Sequence, residues 1–315
     1  MDYEKSPLHI KFRPQNFEEF IGNSAAIASL KSVLAKENRP HSLLFTGPKG
    51  TGKTTLARIV GKELECSNKE FYELDAGTEG GIDTIREIKS NANYAPLEGP
   101  VKVFLIDEAH AISSAASKGL LKFLEEPPQH VYNILCTTEP EKLIATIRNR
   151  CTTFHLSYLN TREMKDLLEW VTTNEQIELS EKIEKKLLFT ADGCPRSLLV
   201  LLDQIADIPT EEGKIQAIQT ISIDEVQVKD ICQKLISNEK GSQRWKDLKE
   251  MVRNIDQEPE SIRRGILGYL SAVLLNNEGS KASRIAKMID MFSEPLFNSG
   301  KPGLVLGIYL TTSIE

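Results

Sequence analysis

Phe45-Thr46-Gly47-Pro48-Lys49-Gly50-Thr51-Gly52-Lys53-Thr54-Thr55 is the stretch that decides the fold. It follows the apolar Ser42-Leu43-Leu44 and precedes Leu56-Ala57-Arg58-Ile59-Val60, so a glycine-rich loop joins a strand to a helix. Its glycines let the backbone curl until the N–H groups converge on phosphate oxygens, and the following helix adds the positive end of its dipole. The pattern predicts a nucleoside triphosphate cradled by Gly47, Pro48, Lys49, Gly50, Thr51, Gly52, Lys53, Thr54 and Thr55. Lys53 would reach the β- and γ-phosphates, and the Thr54 hydroxyl would hold Mg²⁺.

Further along, Val101-Lys102-Val103-Phe104-Leu105-Ile106 is a β-rich apolar run of the kind that forms a buried parallel strand, and it ends in Asp107-Glu108. Carboxylates at the carboxyl end of such a strand fall beside the phosphate loop. Asp107 would join the Mg²⁺ shell, and Glu108 would polarise the water that attacks the γ-phosphate.

Working outward, five short apolar strands are expected at His41–Thr46, Glu70–Asp75, Val101–Asp107, Tyr132–Thr137 and Thr152–Leu156, separated by helical patterns. That is the rhythm of a parallel α/β sheet, with the nucleotide at its carboxyl edge. Beyond Leu159 the strand signals stop. Thr161–Thr173, Ser180–Ala191 and Pro195–Ala206 read as three helices, and Asp207–Gly213 as a loop. Periodicity then predicts helices over Asp224–Ile236, Arg244–Asn254, Glu260–Leu275, Lys281–Ser293 and Gly303–Ser313. The expected organisation is an α/β nucleotide domain over 1–158, a small helical lid over 159–208 and an all-α collar or oligomerisation domain over 209–315.

The chain has 315 residues, 40% hydrophobic and 27% charged, ordinary values for a soluble globular protein. Met1-Asp2-Tyr3-Glu4-Lys5-Ser6 lacks the design of a signal peptide and no apolar run is long enough for a membrane span, so a cytoplasmic location without membrane partners is expected. The five cysteines, Cys66, Cys136, Cys151, Cys194 and Cys232, show no Cys-x-x-Cys pair and no histidine at ligand spacing, which leaves them as small buried or partly buried thiols. A formal charge of −6 argues against a uniformly basic, nucleic-acid-coating surface but allows a local basic lining.

Between Asp107-Glu108 and Cys151 run Ala109-His110-Ala111-Ile112-Ser113, Gly119-Leu120-Leu121-Lys122-Phe123-Leu124-Glu125-Glu126-Pro127-Pro128, Ile134-Leu135-Cys136-Thr137-Thr138-Glu139-Pro140-Glu141-Lys142 and Ile147-Arg148-Asn149-Arg150-Cys151. With these motifs the chain, over about residues 8 to 205, resembles the ATPase subunits of sliding-clamp loaders in the AAA+ superfamily, and most closely the gamma/tau subunits of bacterial DNA polymerase III. The final hundred residues are assigned by position.

The resemblance implies that the nucleotide is ATP with Mg²⁺. It also implies that Lys11-Phe12-Arg13-Pro14-Gln15-Asn16-Phe17-Glu18-Glu19-Phe20-Ile21-Gly22 closes over the adenine, with Arg13, Pro14 and Ile21 as contacts. Thr138 falls where the family keeps a polar residue that hydrogen-bonds the γ-phosphate or its attacking water. Arg150 falls at the family's Ser-Arg-Cys arginine, a finger that acts in trans on a neighbouring subunit's ATP, although Asn149 here replaces the serine. An ordinary surface arginine is the alternative. Arg196 falls at a second sensor on the lid, where Pro195 in the first helical turn leaves it near the positive helix end. Family relatives carry a four-cysteine zinc module after the phosphate-loop helix, whereas here Gly61-Lys62-Glu63-Leu64-Glu65-Cys66-Ser67-Asn68 leads straight to the next strand, so no zinc is expected. The short chain without this module suggests a streamlined version from a bacterial cell or a phage.

Two helix beginnings are candidates for DNA phosphates: Thr84, Arg86 and Lys89 in Gly81–Lys89, and Ser114, Ser117 and Lys118 in Ser113–Lys118. In the family the corresponding helices line a channel around primer-template DNA. Together these readings point to an ATP-hydrolysing motor subunit that works with other clamp-loader subunits, in a ring of five, on a sliding clamp. The alternatives are a non-hydrolysing stator subunit of the same complex, a DNA-translocating AAA+ motor of the branch-migration type, and a scaffold that uses nucleotide only to fold. Intact Lys53, Thr54, Asp107 and Glu108 speak against the stator and Glu108 against the scaffold, while Leu120–Pro128, Thr137–Lys142 and a helical C-terminal region lacking a winged-helix pattern speak against the translocase.

Overall fold

The computed structural model describes residues 6–221, 223–237, 239–253, 259–296 and 299–314. Met1–Lys5, read above for a leader, and Asn254, at the end of an expected helix, lie outside the described residues. The chain divides into two compact units, 1–214 and 215–315.

In the first unit five parallel strands, β1 (Ser42–Thr46), β2 (Phe71–Asp75), β3 (Lys102–Asp107), β4 (Val131–Thr137) and β5 (Thr152–His155), form one sheet in the order β2-β3-β4-β1-β5. The strands agree with the expected ones to within a residue at each end: β1, β3 and β4 are apolar runs closed by a polar residue, and β2 and β5, the two edges, mix polar with apolar residues. Thr46 pairs in register with Thr137 on one side and His155 on the other, so the carboxyl ends of β1, β4 and β5 are level where the glycine-rich loop leaves the sheet.

Both sheet faces are covered, as a parallel sheet requires. The early helices are α1 (Leu8–Lys11), α2 (Ser24–Leu34), α3 (Lys53–Glu63), α4 (Ala76–Glu79), α5 (Ile82–Ala92), α6 (Ser114–Glu125) and α7 (Ala145–Arg148). Leu43 and Phe45 of β1 face a core shared with Ile27 and Leu30 of α2 and Leu56, Ile59 and Val60 of α3. Leu44, one residue out of phase, faces the other core with Ile85 of α5 and Ala116, Leu120 and Phe123 of α6. The Ser113 side chain accepts from Ala116 N–H and so starts α6.

Three helices follow: α8 (Thr161–Glu175), α9 (Glu181–Ala191) and α10 (Pro195–Ile205). A capping box between Asn160 and Glu163 starts α8, and Asp192 and Gly193, both at positive φ, end α9. One expectation fails here. Asp207–Gly213 is not a loop throughout, since α11 (Glu211–Ile221) begins inside it. Thr210 Oγ1 accepts from Gly213 N–H at 3.2 Å, and Glu211 and Glu212 sit in the first turn where the dipole favours acids.

The second unit is helical, with α12 (Ile223–Ile236), α13 (Gly241–Arg253), α14 (Pro259–Leu275), α15 (Gly279–Asp290) and α16 (Gly300–Thr312). Its core includes Leu235, Leu248, Ile266, Leu270, Ile285, Phe292 and Ile308. Buried Arg244 fastens three chain segments by donating to the carbonyls of Leu235, Thr312 and Ile314. Burial pushes the Cys66 thiol up to about 11 and the Cys151 and Cys232 thiols up to about 12, so these side chains act as small apolar groups. Among the described residues no helix is long and apolar enough to cross a membrane.

Candidate nucleotide-binding site

The loop between β1 and α3 is shaped by close approaches that exclude side chains. Gly47 has φ 141°, and a Cβ there would lie 2.0 Å from the Leu156 carbonyl oxygen, at the end of β5. Gly50 has φ 78°, and its Cβ would lie 2.5 Å from Cys194 Sγ. The loop is therefore pressed between the sheet and the segment that leads into α10.

Lys53, the first residue of α3, is buried, and its Nζ donates to the Gly47 and Pro48 carbonyls at 2.8 Å each. Burial pushes the ammonium pKa down, opposed by the negative charges of Glu108 and Asp107. The lysine thus occupies the concavity of its own loop. Next to it, Thr54 Oγ1 donates to Asp107 Oδ2 at 2.6 Å, which joins the helix start to the end of β3. The other Asp107 oxygen accepts from Glu108 N–H at 2.9 Å. Glu108 takes a left-handed conformation, φ 47° and ψ 42°, which turns the chain sharply after the strand.

A hydrogen-bonded cluster surrounds Glu108. Thr137 Oγ1, at the end of β4, accepts from Glu139 N–H at 3.1 Å and stands 3.0 Å from His110 Nδ1. The Thr137 hydroxyl proton is then free to go to Nδ1, which leaves the imidazole proton on Nε2, 3.1 Å from Glu139 Oε2. Glu139 is also bound by Lys142 at 2.6 Å. Glu108 Oε2 is buried and has no hydrogen-bond partner among the described residues. A buried acceptor left unsatisfied calls for an occupant, and a water donating to it suits a carboxylate in this position.

The donor set fits a triphosphate with its metal. It offers a buried ammonium, a helix N-terminus, a hydroxyl already paired with a carboxylate, and a carboxylate with one free oxygen. Arg196, second residue of α10, is brought to the loop, since its Cβ lies 3.3 Å from where a Gly50 Cβ would be. Sequence reasoning missed three neighbours. Phe20 lies 2.9 Å from the position of a Gly52 Cβ, Cys194 touches Lys49 O at 3.7 Å, and His110 ties β3 to β4. The only sequence signal for Phe20 was its place just before Ile21, and for His110 its place two residues after Glu108. Arg13, Pro14 and Ile21 are half-buried in the segment that carries Phe20. Thr138 is half-buried next to the cluster, whose hydroxyl is supplied by Thr137.

Arg150 is held elsewhere. Its Nη1 donates to Thr146 O and its Nη2 to Glu125 Oε2, both at 3.0 Å. Of the DNA candidates, Thr84 is half-buried, while Ser114, Arg86 and Lys118 are exposed, with Arg86 paired to Asp83 at 2.7 Å. Lys89 reaches Gly119 O at 3.4 Å. Ser117 is only 6% exposed beside buried Ala116 and Leu120, which removes it as a phosphate contact.

Sheet order, loop and helices define a P-loop nucleotide-binding domain of the AAA+ fold. The RuvB Holliday junction branch migration motor of Thermotoga maritima shares it, with a TM-score of 0.59 over 75% of this chain and 85% of that one. Sequence identity to it is 20%, so that likeness concerns the fold alone.

In sequence, the chain is homologous to the gamma/tau subunits of DNA polymerase III. It is 34% identical over 221 residues to subunit gamma/tau of Mycobacterium tuberculosis, covering 63% of this chain and 38% of that protein. With subunit tau of Bacillus subtilis it shares 33% over 230 residues, covering 66% and 41%. With subunit gamma of Buchnera aphidicola it shares 32% over 219 residues, covering 63% and 61%. The match thus spans less than two thirds of each relative. Residues 73–160 also match the family described as DNA polymerase III, delta subunit.

Proposed function

We propose that this chain is an ATP-hydrolysing motor subunit of a sliding-clamp loader, acting with other subunits in a ring of five around primer-template DNA. The observation that carries the reading is the 2.6 Å bond from Thr54 to Asp107, set beside a Glu108 oxygen that nothing among the described residues satisfies. A protein that merely bound nucleotide to fold would not need that free carboxylate.

Lys53 would exchange the Gly47 and Pro48 carbonyls for β- and γ-phosphate oxygens. Its bonds to the carbonyls are already charge-assisted, and phosphate oxygens add the attraction of opposite full charges, so the exchange favours the triphosphate. Mg²⁺ held through Thr54 and Asp107 would supply charge neutralisation across the phosphates. Glu108 would accept a proton from the attacking water, with Thr138 or its neighbour Thr137 as a further polar contact. Arg13, Pro14 and Ile21 would contact the adenine. Arg196 would report the γ-phosphate from a lid spanning 159–208, and Arg150 would act on the next subunit's ATP. The helical region 209–315 would hold subunits together, and Thr84, Arg86, Lys89, Ser114 and Lys118 would follow DNA phosphates.

The delta-subunit match starts at residue 73, beyond the phosphate loop, and is silent on Lys53 and Thr54, whose presence speaks against the stator alternative. The test is the ATP hydrolysis rate of the chain with its accompanying subunits, alone and then with primed single-stranded DNA and the sliding clamp of its source. Stimulation that needs both DNA and clamp is expected. Turnover indifferent to the clamp would overturn the motor reading in favour of a stator or a translocase.

A further inference from the structure

Arg150 follows α7 and is not a free surface side chain. Its guanidinium has five N–H donors, of which one bonds the Thr146 carbonyl and another the Glu125 carboxylate, both at 3.0 Å. Among the described residues its buried Nε has no hydrogen-bond partner, and each terminal nitrogen makes one hydrogen bond with a second N–H to spare. Two residues away Arg148 is exposed, so the chain treats its two arginines differently. Glu125 closes the carboxyl end of α6, where the helix dipole disfavours an acid, and its partnership with Arg150 offsets that placement.

We propose that Glu125 is a positioning residue for Arg150. Its carboxylate holds the guanidinium in one orientation, so that the arginine meets a neighbouring subunit's triphosphate already ordered. The inference rests on the reading of Arg150 as a finger acting in trans. Sequestration of the arginine is the rival arrangement, and the exposure of the pair argues against it: Glu125 is 57% and Arg150 28% exposed, and such ion pairs are weak. A triphosphate would outcompete the carboxylate, whereas the loss of arginine rotamer freedom would already have been met within the subunit. Because α6 also carries Ser114 and Lys118 at its other end, Glu125 connects a candidate DNA contact to the finger through a single rigid helix.

The experiment is a double-mutant cycle on the assembled complex with primed DNA and clamp, using Glu125→Ala, Arg150→Ala and the double variant. Glu125→Ala is expected to lower kcat by several-fold to about tenfold, with KM unchanged, as expected for losing the pre-ordering of one long side chain. The double variant should be no slower than Arg150→Ala alone, because Glu125 acts only through the arginine. Glu125→Gln keeps an acceptor of the same shape and should show a smaller loss in the same non-additive relation; it serves if the alanine variant does not fold. Unchanged or faster turnover in Glu125→Ala, or losses that multiply, would overturn the proposal. Normal turnover in Arg150→Ala would instead overturn the finger reading, and the role of Glu125 with it.

Discussion

His110 Nδ1 stands 3.4 Å from Glu108 Oε2, yet that oxygen receives no hydrogen bond. One strand away the Thr137 hydroxyl is 3.0 Å from the same nitrogen, and with Glu139 Oε2 3.1 Å from Nε2 the surroundings favour the Nε2–H tautomer, in which Thr137 donates to Nδ1. A protonated Nδ1 would grip Glu108 and compete with water for it, so Thr137 keeps the carboxylate free by fixing the tautomer of its neighbour.

Thr137→Val is therefore expected to slow ATP hydrolysis by roughly tenfold or more, within the range for a misplaced proton acceptor, while ATP affinity stays the same. Thr137→Ser, which keeps the hydroxyl, should hydrolyse near normally. Single-turnover hydrolysis beside a nucleotide titration separates the two effects, and equal rates for the valine and serine variants would remove the tautomer argument.

Lys53 and Glu108 should fail in different ways. Lys53→Ala removes the buried ammonium that touches the loop carbonyls and is expected to abolish nucleotide binding in a calorimetric titration. Glu108→Gln keeps the shape but loses the acceptor charge, and should bind ATP while hydrolysing it about a hundredfold more slowly or worse. Near-normal turnover in the glutamine variant would exclude Glu108 as the water's partner.

Much of this was legible in the sequence, for physical reasons. Each strand of a fully covered parallel sheet must be a short apolar run, so β1, β3 and β4 announce themselves, and the glycines at 47, 50 and 52 have few other uses between a strand and a helix. What escaped depends on contacts between distant residues. Cys194 touching Lys49 O involves partners 145 positions apart, and Glu125 meeting Arg150 spans 25 positions. No local pattern encodes these pairs. The cluster hydroxyl is a subtler case. The expected strand already ended at Thr137, which is fully buried, but that its hydroxyl stands beside His110, 27 positions away, is a tertiary contact that the strand pattern does not encode.

Gly50 and Cys194 set how closely the helical segment can approach the phosphate loop. Gly50→Ala places a methyl group 2.5 Å from Cys194 Sγ at φ 78°, a conformation that costs an L-residue about 1–2 kcal/mol. The expected result is weaker ATP binding, roughly tenfold, since Arg196 would move away with Cys194. Adding Cys194→Ala removes the sulfur and should recover part of the affinity while leaving the backbone strain. Additive losses in the double variant would mean that the sulfur is not what the new methyl group meets.

Glu260 makes a prediction for the second unit that needs no nucleotide. Only 7% exposed, it accepts from Arg263 Nε at 2.9 Å and from Leu296 N–H at 2.8 Å, so its carboxylate ties α14 to the chain beyond α15. Burial pushes its pKa up, but the Arg263 and Leu296 bonds outweigh this and hold the carboxyl below its ordinary value of 4.5. A carboxylate lowered on folding contributes stability above its unfolded pKa, and loses it as pH falls through the folded one. Glu260→Gln should therefore destabilise the protein near neutral pH by about 3–5 kcal/mol, because Arg263 is left buried without a counter-charge. Between pH 7 and pH 5 the gap between the variant and the unaltered protein should hold steady. Below about pH 4.5 it should shrink, because protonation of Glu260 in the unaltered protein produces the same uncharged group that the substitution supplies. Denaturant unfolding at a series of pH values measures that gap directly, and a difference that stayed constant down to pH 3 would show that hydrogen-bond geometry, not charge, is what Glu260 contributes.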